Sequence, residues 1–179
     1  VFRPRWISAV LYLLMGWCVV WFLPPLIAAL WGPGLWLLVG GGVGVPPLYN
    51  LAKRLLAEGF PVQVVLGFNT VSEVFFADEF RALGCDVTVS TADGSQGVRG
   101  FVTTAIAERQ LDFDYFYACG PLPMLRALSD AVEQDGQLSF EERMGCGFGA
   151  CMGCSCKTKQ GNKRICKEGP VLSKEEIIW

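Results

Sequence analysis

The densest chemistry in the chain lies between Met144 and Cys166, in MGCGFGACMGCSCKTKQGNKRIC. Cys146, Cys151 and Cys154 stand as C-x4-C-x2-C, and Cys166 follows after eleven intervening residues. That is the plant-type spacing of a [2Fe-2S] cluster, in which four thiolates hold two irons. Ligands from so short a loop converge only if the backbone wraps closely round the inorganic sulfurs. Gly145, Gly147, Gly149 and Gly153 give it that freedom, and N–H groups of such a loop can point at sulfur and tune the potential. Cys156, separated from Cys154 by Ser155 alone, reads as a neighbour rather than a ligand. A structural zinc site is a second reading, but it usually shows two separated C-x2-C knuckles, and only Cys151 and Cys154 make one here. Disulfides are a third; close-set cysteines in a glycine-rich loop, with no cleavable secretory signature, argue for a metal in a reducing compartment. The chain has no histidine, which excludes a Rieske centre with its two histidine ligands.

A second chemical stretch begins at Leu35–Val39 (LWLLV), a short apolar run that ends in GGGVGVPP from Gly40 to Pro47. Leu48, Leu51, Ala52, Leu55 and Leu56 then recur at helical spacing. Strand, glycine turn and helix in that order present backbone N–H groups and a helix N-terminus to a pyrophosphate. The fingerprint is not the full G-x-G-x-x-G, because Gly42-x-Gly44-x-x-Pro47 has proline at the third glycine. Proline is tolerated in a first helical turn, so the stretch reads as a nucleotide turn or as a plain tight strand-to-helix connection.

The elements that must position these residues follow an alternating pattern. Further strands are expected at Pro61–Phe68, Cys85–Ser90, Asp114–Cys119 and Leu138–Glu142, and helices at Val71–Leu83, Phe101–Leu111 and Pro123–Glu133, with a turn-rich loop over Thr91–Gly100. Repeated βα units with short connections imply an α/β fold with a doubly wound, parallel, five-stranded sheet, followed by a small cluster-binding domain. Ligands of such sheets bind at the carboxyl ends of the strands, where the strand order reverses. The loops at Gly40–Pro47, Asp93–Gly97 and Cys119–Met124 all lie at those ends and are expected to converge.

Length and composition bound the rest. The chain of 179 residues suits one domain, or a medium domain with a small appendage. A net charge of −2 gives no electrostatic case for nucleic acid. Lys157, Lys159, Lys163 and Arg164 beside the cysteine loop form a solvated loop or a docking surface. Hydrophobic content is 52%, concentrated at the front, where residues 6–52 carry no charge. Trp6–Trp31 is long enough to cross a bilayer, with Arg3 and Arg5 before it and tryptophans at its ends. Pro24 and Pro25 interrupt it, and the alternatives are a membrane anchor or a non-native start.

Taken together, GGGVGVPP, TADGSQG, CGPLPM, EERMGCGFGACMGC and RICKEGPV resemble the electron-transfer subunit of bacterial class 1B dihydroorotate dehydrogenase, a member of the ferredoxin-NADP reductase superfamily. The resemblance runs from Leu35 to the C-terminus and implies three segments: an apolar segment 1–34, an NAD-binding domain 35–143 and a [2Fe-2S] domain 144–179. It implies hydride exchange with NAD through FAD, and single electrons passed by the cluster to the FMN of a separate catalytic subunit in pyrimidine biosynthesis, in a heterotetramer in the cytoplasm or, if the front segment is an anchor, at its membrane face. By the same likeness Gly41, Gly42, Gly44 and Pro47 would approach the dinucleotide and Asp93 would lie in its ribose-facing loop. Cys119, Gly120 and Pro121 would flank the nicotinamide near flavin, and Cys146, Cys151, Cys154 and Cys166 would bind the cluster. Read singly, Cys119 is also an inert buried thiol and Asp93 a turn residue. The family holds most of its FAD in an N-terminal β-barrel, and only the apolar segment stands before Leu35 here, which puts FAD binding by this chain alone in doubt. Gly67-Phe68-Asn69-Thr70 offers no arginine to a 2′-phosphate, a lean toward NAD over NADP. The rival readings are a reductase subunit of sulfide dehydrogenase or ferredoxin-NADP reductase type, and a non-enzymatic structural zinc module.

Overall fold

The computed structural model describes residues 34–179; the apolar stretch 6–31 lies outside the described residues. Among the described residues no helix is long and apolar enough to cross a membrane. Leu35–Trp179 forms one compact unit.

Its centre is β1 (Trp36–Gly41), flanked by β2 (Val62–Phe68) and β5 (Tyr115–Cys119), with β3 (Asp86–Thr91), β4 (Val98–Arg99), β6 (Asp135–Ser139) and β9 (Val171–Ser173) extending the sheet. The order is β4-β3-β2-β1-β5-β6-β9. All pairs are parallel except β6 with β9. The sheet therefore has seven strands rather than the five expected. The two extra ones are short: β4 is a two-residue strand inside the turn-rich loop, and β9 comes from the C-terminal segment and closes the far edge.

The central strands are apolar at nearly every position because both faces are covered. Leu37 and Val39 face one core, with Val65, Phe116, Leu125 and Leu128; Leu38 faces the other, with Val45, Leu48, Val64 and Phe80. The first core lies under α3 (Val102–Glu108) and α4 (Leu122–Ala131), the second under α1 (Val45–Ala57) and α2 (Ala77–Ala82). Each such side chain, fully withdrawn from water, contributes roughly 1.5–3 kcal/mol. In α1, Val45, Leu48, Ala52 and Leu55 are buried. The helix ends because Gly59 takes φ +86, which lets its N–H reach the Leu56 carbonyl and the Phe60 N–H reach that of Leu55, at 3.0 Å each.

Two expected elements shift. The helix expected over 71–83 begins only at Ala77, because Val71–Glu73 is a 3-10 turn and Phe76 is left-handed at φ 64. The Phe76 ring packs edge-on to Tyr49 of α1, so aromatic packing overrides helical continuity there. The last parallel strand, expected at Leu138–Glu142, is Asp135–Ser139. Its register against β5, with Asp135 opposite Tyr115 and Ser139 opposite Cys119, is set by pairing; the local sequence DGQLS has little strand preference of its own.

Candidate nucleotide and iron-sulfur site

The strand order reverses between β1 and β5, and both end on small residues, Gly41 and Cys119-Gly120. After β1 the chain makes a 3-10 turn over Gly42–Gly44 and enters α1 with Pro46 in its first turn and no acidic residue there. The helix N-terminus presents a positive dipole end, but its first turn donates little, since Pro46 and Pro47 have no N–H and that of Val45 bonds the Gly42 carbonyl. A Cβ on Gly44 would sit 2.1 Å from the Cys119 carbonyl oxygen, and one on Gly41 would sit 2.6 Å from Met124 Sδ. The turn after β1 is thus pressed against the corner after β5, backbone to backbone. Gly42, at φ +52, has nothing within 4 Å of its missing Cβ and leaves the outer side of the turn open.

Two cavities flank this seam. One of about 380 Å³ runs along Gly41, Gly42 and Pro121, with Phe68, Asn69, Glu73 and Phe101 around it. Another of about 260 Å³ is bounded by Gly44, Pro47, Cys119, Gly120 and the segment Ser139–Glu141. Burial pushes the Cys119 thiol up, against a hydrogen bond with Ser139. Of the three loops expected to converge, those at Gly40–Pro47 and Cys119–Met124 do so. The third stands beside the first cavity, where the Asp93 N–H donates to the Asn69 carbonyl at 3.2 Å, but the Asp93 side chain is not on either wall, and Gly100–Thr103 line the first. The Asp93 carboxylate accepts the Ser95 hydroxyl at 2.6 Å and the Ser95 N–H at 2.9 Å, which hold its pKa down to about 2; it shapes a turn. Glu73, Phe101 and Glu141 line the cavities without being among the residues that the sequence singles out. For Glu73 the sequence carries a signal, an acid shortly after the second strand, but helical spacing over 71–83 masks it.

The cysteine segment leaves β6 as an irregular loop to Cys154, then forms a hairpin of β7 (Ser155–Thr158) and β8 (Gly161–Arg164), then α5 (Ile165–Glu168), and returns to the sheet as β9. The hairpin register places Ser155 opposite Arg164, and the Ile165 N–H donates to the Cys154 carbonyl at 3.1 Å. Cys154 and Cys166 meet in consequence: the Cys166 N–H donates to Cys154 Sγ at 3.5 Å. Their mutual contact lowers the Cys154 thiol and raises that of Cys166. Cys146 and Cys151 form the other pair. Backbone N–H groups of Cys151 and Phe148 hold Cys146 down to about 6, with a smaller contribution from the Cys151 thiol, and the Gly153 N–H points at Cys151 Sγ at 3.5 Å. Cys156 stands apart on β7, its thiol raised by burial.

Four thiols in two pairs, met by loop N–H groups, are a donor set that fits an iron-sulfur group. Arg164 fastens the loop: its Nη1 donates to the Gly149 carbonyl at 2.8 Å, and the same guanidinium pairs with Glu168, whose carboxyl is held down to about 2. Met144, Phe148 and Met152, beside these cysteines, expose apolar side chains.

Residues 38–130 match the family model described as the oxidoreductase NAD-binding domain, and residues 141–178 that described as the iron-sulfur cluster binding domain of dihydroorotate dehydrogenase B. The electron transfer subunit of dihydroorotate dehydrogenase B (NAD(+)) from Fusobacterium nucleatum is 51% identical over 147 residues, 79% of this chain and 56% of that protein. Its counterpart from Bacillus pumilus is 50% identical over 145 residues, with the same 79% and 56% shares. The chain thus spans a little over half the length of these curated relatives. Among solved structures, an NADH-dependent reduced ferredoxin-NADP oxidoreductase, described for flavin-based electron bifurcation, matches at TM-score 0.72 and 34% identity, over 82% of this chain and 54% of that one.

Proposed function

Because the chain belongs to the oxidoreductase NAD-binding family and carries an iron-sulfur domain of the dihydroorotate dehydrogenase B type, we propose that it is the electron-transfer subunit of such an enzyme. In this reading electrons pass between NAD(H) and a [2Fe-2S] cluster, and onward to the FMN of a catalytic subunit that makes orotate for pyrimidine biosynthesis. The nucleotide half spans 35–143 and the cluster half 144–179, and the assembly with the catalytic subunit is a cytoplasmic heterotetramer. Gly41, Gly42, Gly44 and Pro47 meet the dinucleotide, Cys119, Gly120 and Pro121 lie at its redox end, and Cys146, Cys151, Cys154 and Cys166 bind the cluster. Two pairs of thiols support a two-iron group, since each iron of such a cluster takes two protein ligands. Nicotinamide gives hydride and the cluster takes one electron at a time, so a flavin, FAD, supplies the conversion between them.

The observation that carries this reading is the path of one strand. β6 pairs with β5, whose end is the Cys119-Gly120 corner, and β6 runs on directly into the cysteine loop, while β9 returns beside it. This connection supports the reading, because the corner after β5 and the cysteine segment are held by neighbouring strands, β5 and β6. Exposed Met144, Phe148 and Met152 support a protein partner at the cluster. The likeness to the ferredoxin-NADP oxidoreductase favours a second reading, a reductase subunit of that type.

The test is anaerobic purification with iron, sulfide and absorption assays, followed by reconstitution with an FMN-containing dihydroorotate-oxidising subunit. About two irons and two sulfides per chain, and dihydroorotate-dependent NAD reduction on mixing, are expected. Zinc without iron would overturn the redox reading; an iron-loaded protein that reduces ferredoxin but never couples to dihydroorotate would move it to the second.

A further inference from the structure

The two cysteine pairs are joined at Gly149. This residue lies between Cys146 and Cys151 in the chain, yet its N–H bonds the thiol of Cys166, in the other pair. Its φ of +91 is one that glycine adopts cheaply. Its carbonyl is taken by Arg164, whose Nη1 donates to it at 2.8 Å. One guanidinium therefore holds the residue through which the pairs meet.

The rest of that guanidinium is bound by Glu168. Arg164 Nε donates to Oε2 at 2.9 Å and to Oε1 at 3.1 Å, and Nη2 completes the pair. Glu168 Oε2 also accepts the Arg164 backbone N–H at 2.6 Å. In the β7–β8 register Arg164 stands opposite Ser155, the neighbour of Cys154, and it precedes Cys166 on its own strand by two residues. Glu168 foremost, and then Cys166 and Cys154, hold the guanidinium pKa above its usual range, so the charge of this fork is felt at the thiols. The side chains of Arg164 and Glu168 are 25% and 32% exposed, and salt screens such a pair only in part.

Resting on the iron-sulfur reading above, we propose that the Arg164–Glu168 pair tunes the reduction potential of the cluster, and that Arg164, acting through Gly149, is the positioning residue that keeps the two thiol pairs together. Reduction adds negative charge to the group, so a nearby cation favours the reduced form and a nearby anion the oxidised one. Paired, the two side chains nearly cancel. Removing the Arg164 charge leaves the Glu168 carboxylate alone beside the thiolates; removing the Glu168 charge leaves the guanidinium alone. The two changes therefore act on the potential with opposite sign, whereas loosening of the loop would move both in the same direction.

The experiment is a dye-mediated reductive titration of the anaerobically purified full chain, followed by visible absorption and electron paramagnetic resonance, with release of iron to a chelator timed alongside. At a given potential Arg164→Gln should lower the reduced-to-oxidised ratio about threefold or more and Glu168→Gln should raise it by a similar factor, shifts of about 30 mV each at about 59 mV per tenfold for a one-electron couple. Arg164→Lys keeps the charge but not the planar fork that serves Gly149 and Glu168 together. It should hold a potential near that of the wild type and release iron several-fold faster. Potentials that stay put, or that move the same way in Arg164→Gln and Glu168→Gln, would overturn the tuning role. If Arg164→Gln takes up no iron, an unraised potential in Glu168→Gln would overturn it equally, as would failure of both variants to hold iron, which would mark the pair as structural only. Iron release from Arg164→Lys at the wild-type rate would overturn the positioning role. A wild-type chain that takes up no iron and sulfide would overturn the iron-sulfur reading itself, and this inference with it.

Discussion

Replacing Gly44 by alanine tests whether the seam between the two strand ends is as tight as its geometry implies. Gly44 has φ −74, a conformation that any residue adopts, so the substitution carries no backbone penalty. It carries a steric one: the new methyl would lie 2.1 Å from the Cys119 carbonyl oxygen, 2.4 Å from its carbon and 2.8 Å from the Gly120 nitrogen. All three are backbone atoms fixed by the β1–β5 ladder and cannot swing aside like a side-chain tip. Opening the seam by the ångström or more required costs about 3 kcal/mol, the upper part of the overpacking range. Gly59→Ala is the matched control. Nothing lies within 4 Å of its missing Cβ, but φ is +86, so the penalty is conformational alone, about 1 kcal/mol. For a chain of this size, thermal midpoints should fall by roughly 6–12 °C and 2–4 °C respectively. Only Gly44→Ala should also weaken ADP binding, because it displaces the turn relative to the Cys119 corner. Thermal melts and calorimetry on both variants decide it: equal midpoint losses, or unchanged ADP affinity in Gly44→Ala, would refute the reasoning.

Cys154→Ser should lose iron and sulfide, whereas Cys156→Ser, which changes the half-buried thiol on β7, should retain both; loss in each case would show that Cys156 is a ligand. Phe116 is fully buried in the core under α3 and α4, and Phe116→Ala should lower stability to urea by about 3–5 kcal/mol. Glu168 has its pKa depressed from 4.5 to about 2 by Arg164. Its contribution to stability is therefore present above about pH 4.5 and lost as the pH falls toward 2. Arg164→Gln should accordingly be less stable than wild type near neutrality, with the gap narrowing in acid; a gap independent of pH in urea melts would contradict that assignment.

Much of the fold could be read from local pattern. The runs LWLLV, PVQVVLGF and DYFYAC are apolar on successive residues, which only strands covered on both faces can use, and each is a central strand at nearly the expected place. The four-cysteine spacing and the glycine turn were equally legible, because thiolate ligation and close backbone approach demand particular residues at particular separations. What failed were features decided by partners distant in sequence. DGQLS has no strand signature and became β6 by pairing with β5; Val171–Ser173, too short to announce itself, became β9 by pairing with β6. Phe76 ended a helix early for the sake of a contact with Tyr49.

The same division runs through the site. The sequence by itself determined which chemistry is available: cysteines in a ligand spacing, a glycine turn ahead of a helix, and no histidine. Only the tertiary structure decided which residues share a wall. The Asp93 carboxylate, which the family likeness sets in a ribose-facing loop, is bonded to Ser95 within its own turn, while Glu73, inside a stretch expected to be helical, stands beside Asn69 on the cavity. Pairing Cys154 with Cys166 likewise required a hairpin register that neither cysteine encodes. The physical reason is common to all three. Spacing along the chain limits what nearby residues can do, but convergence of residues far apart depends on strand order and register, which are set by the packing of the whole sheet.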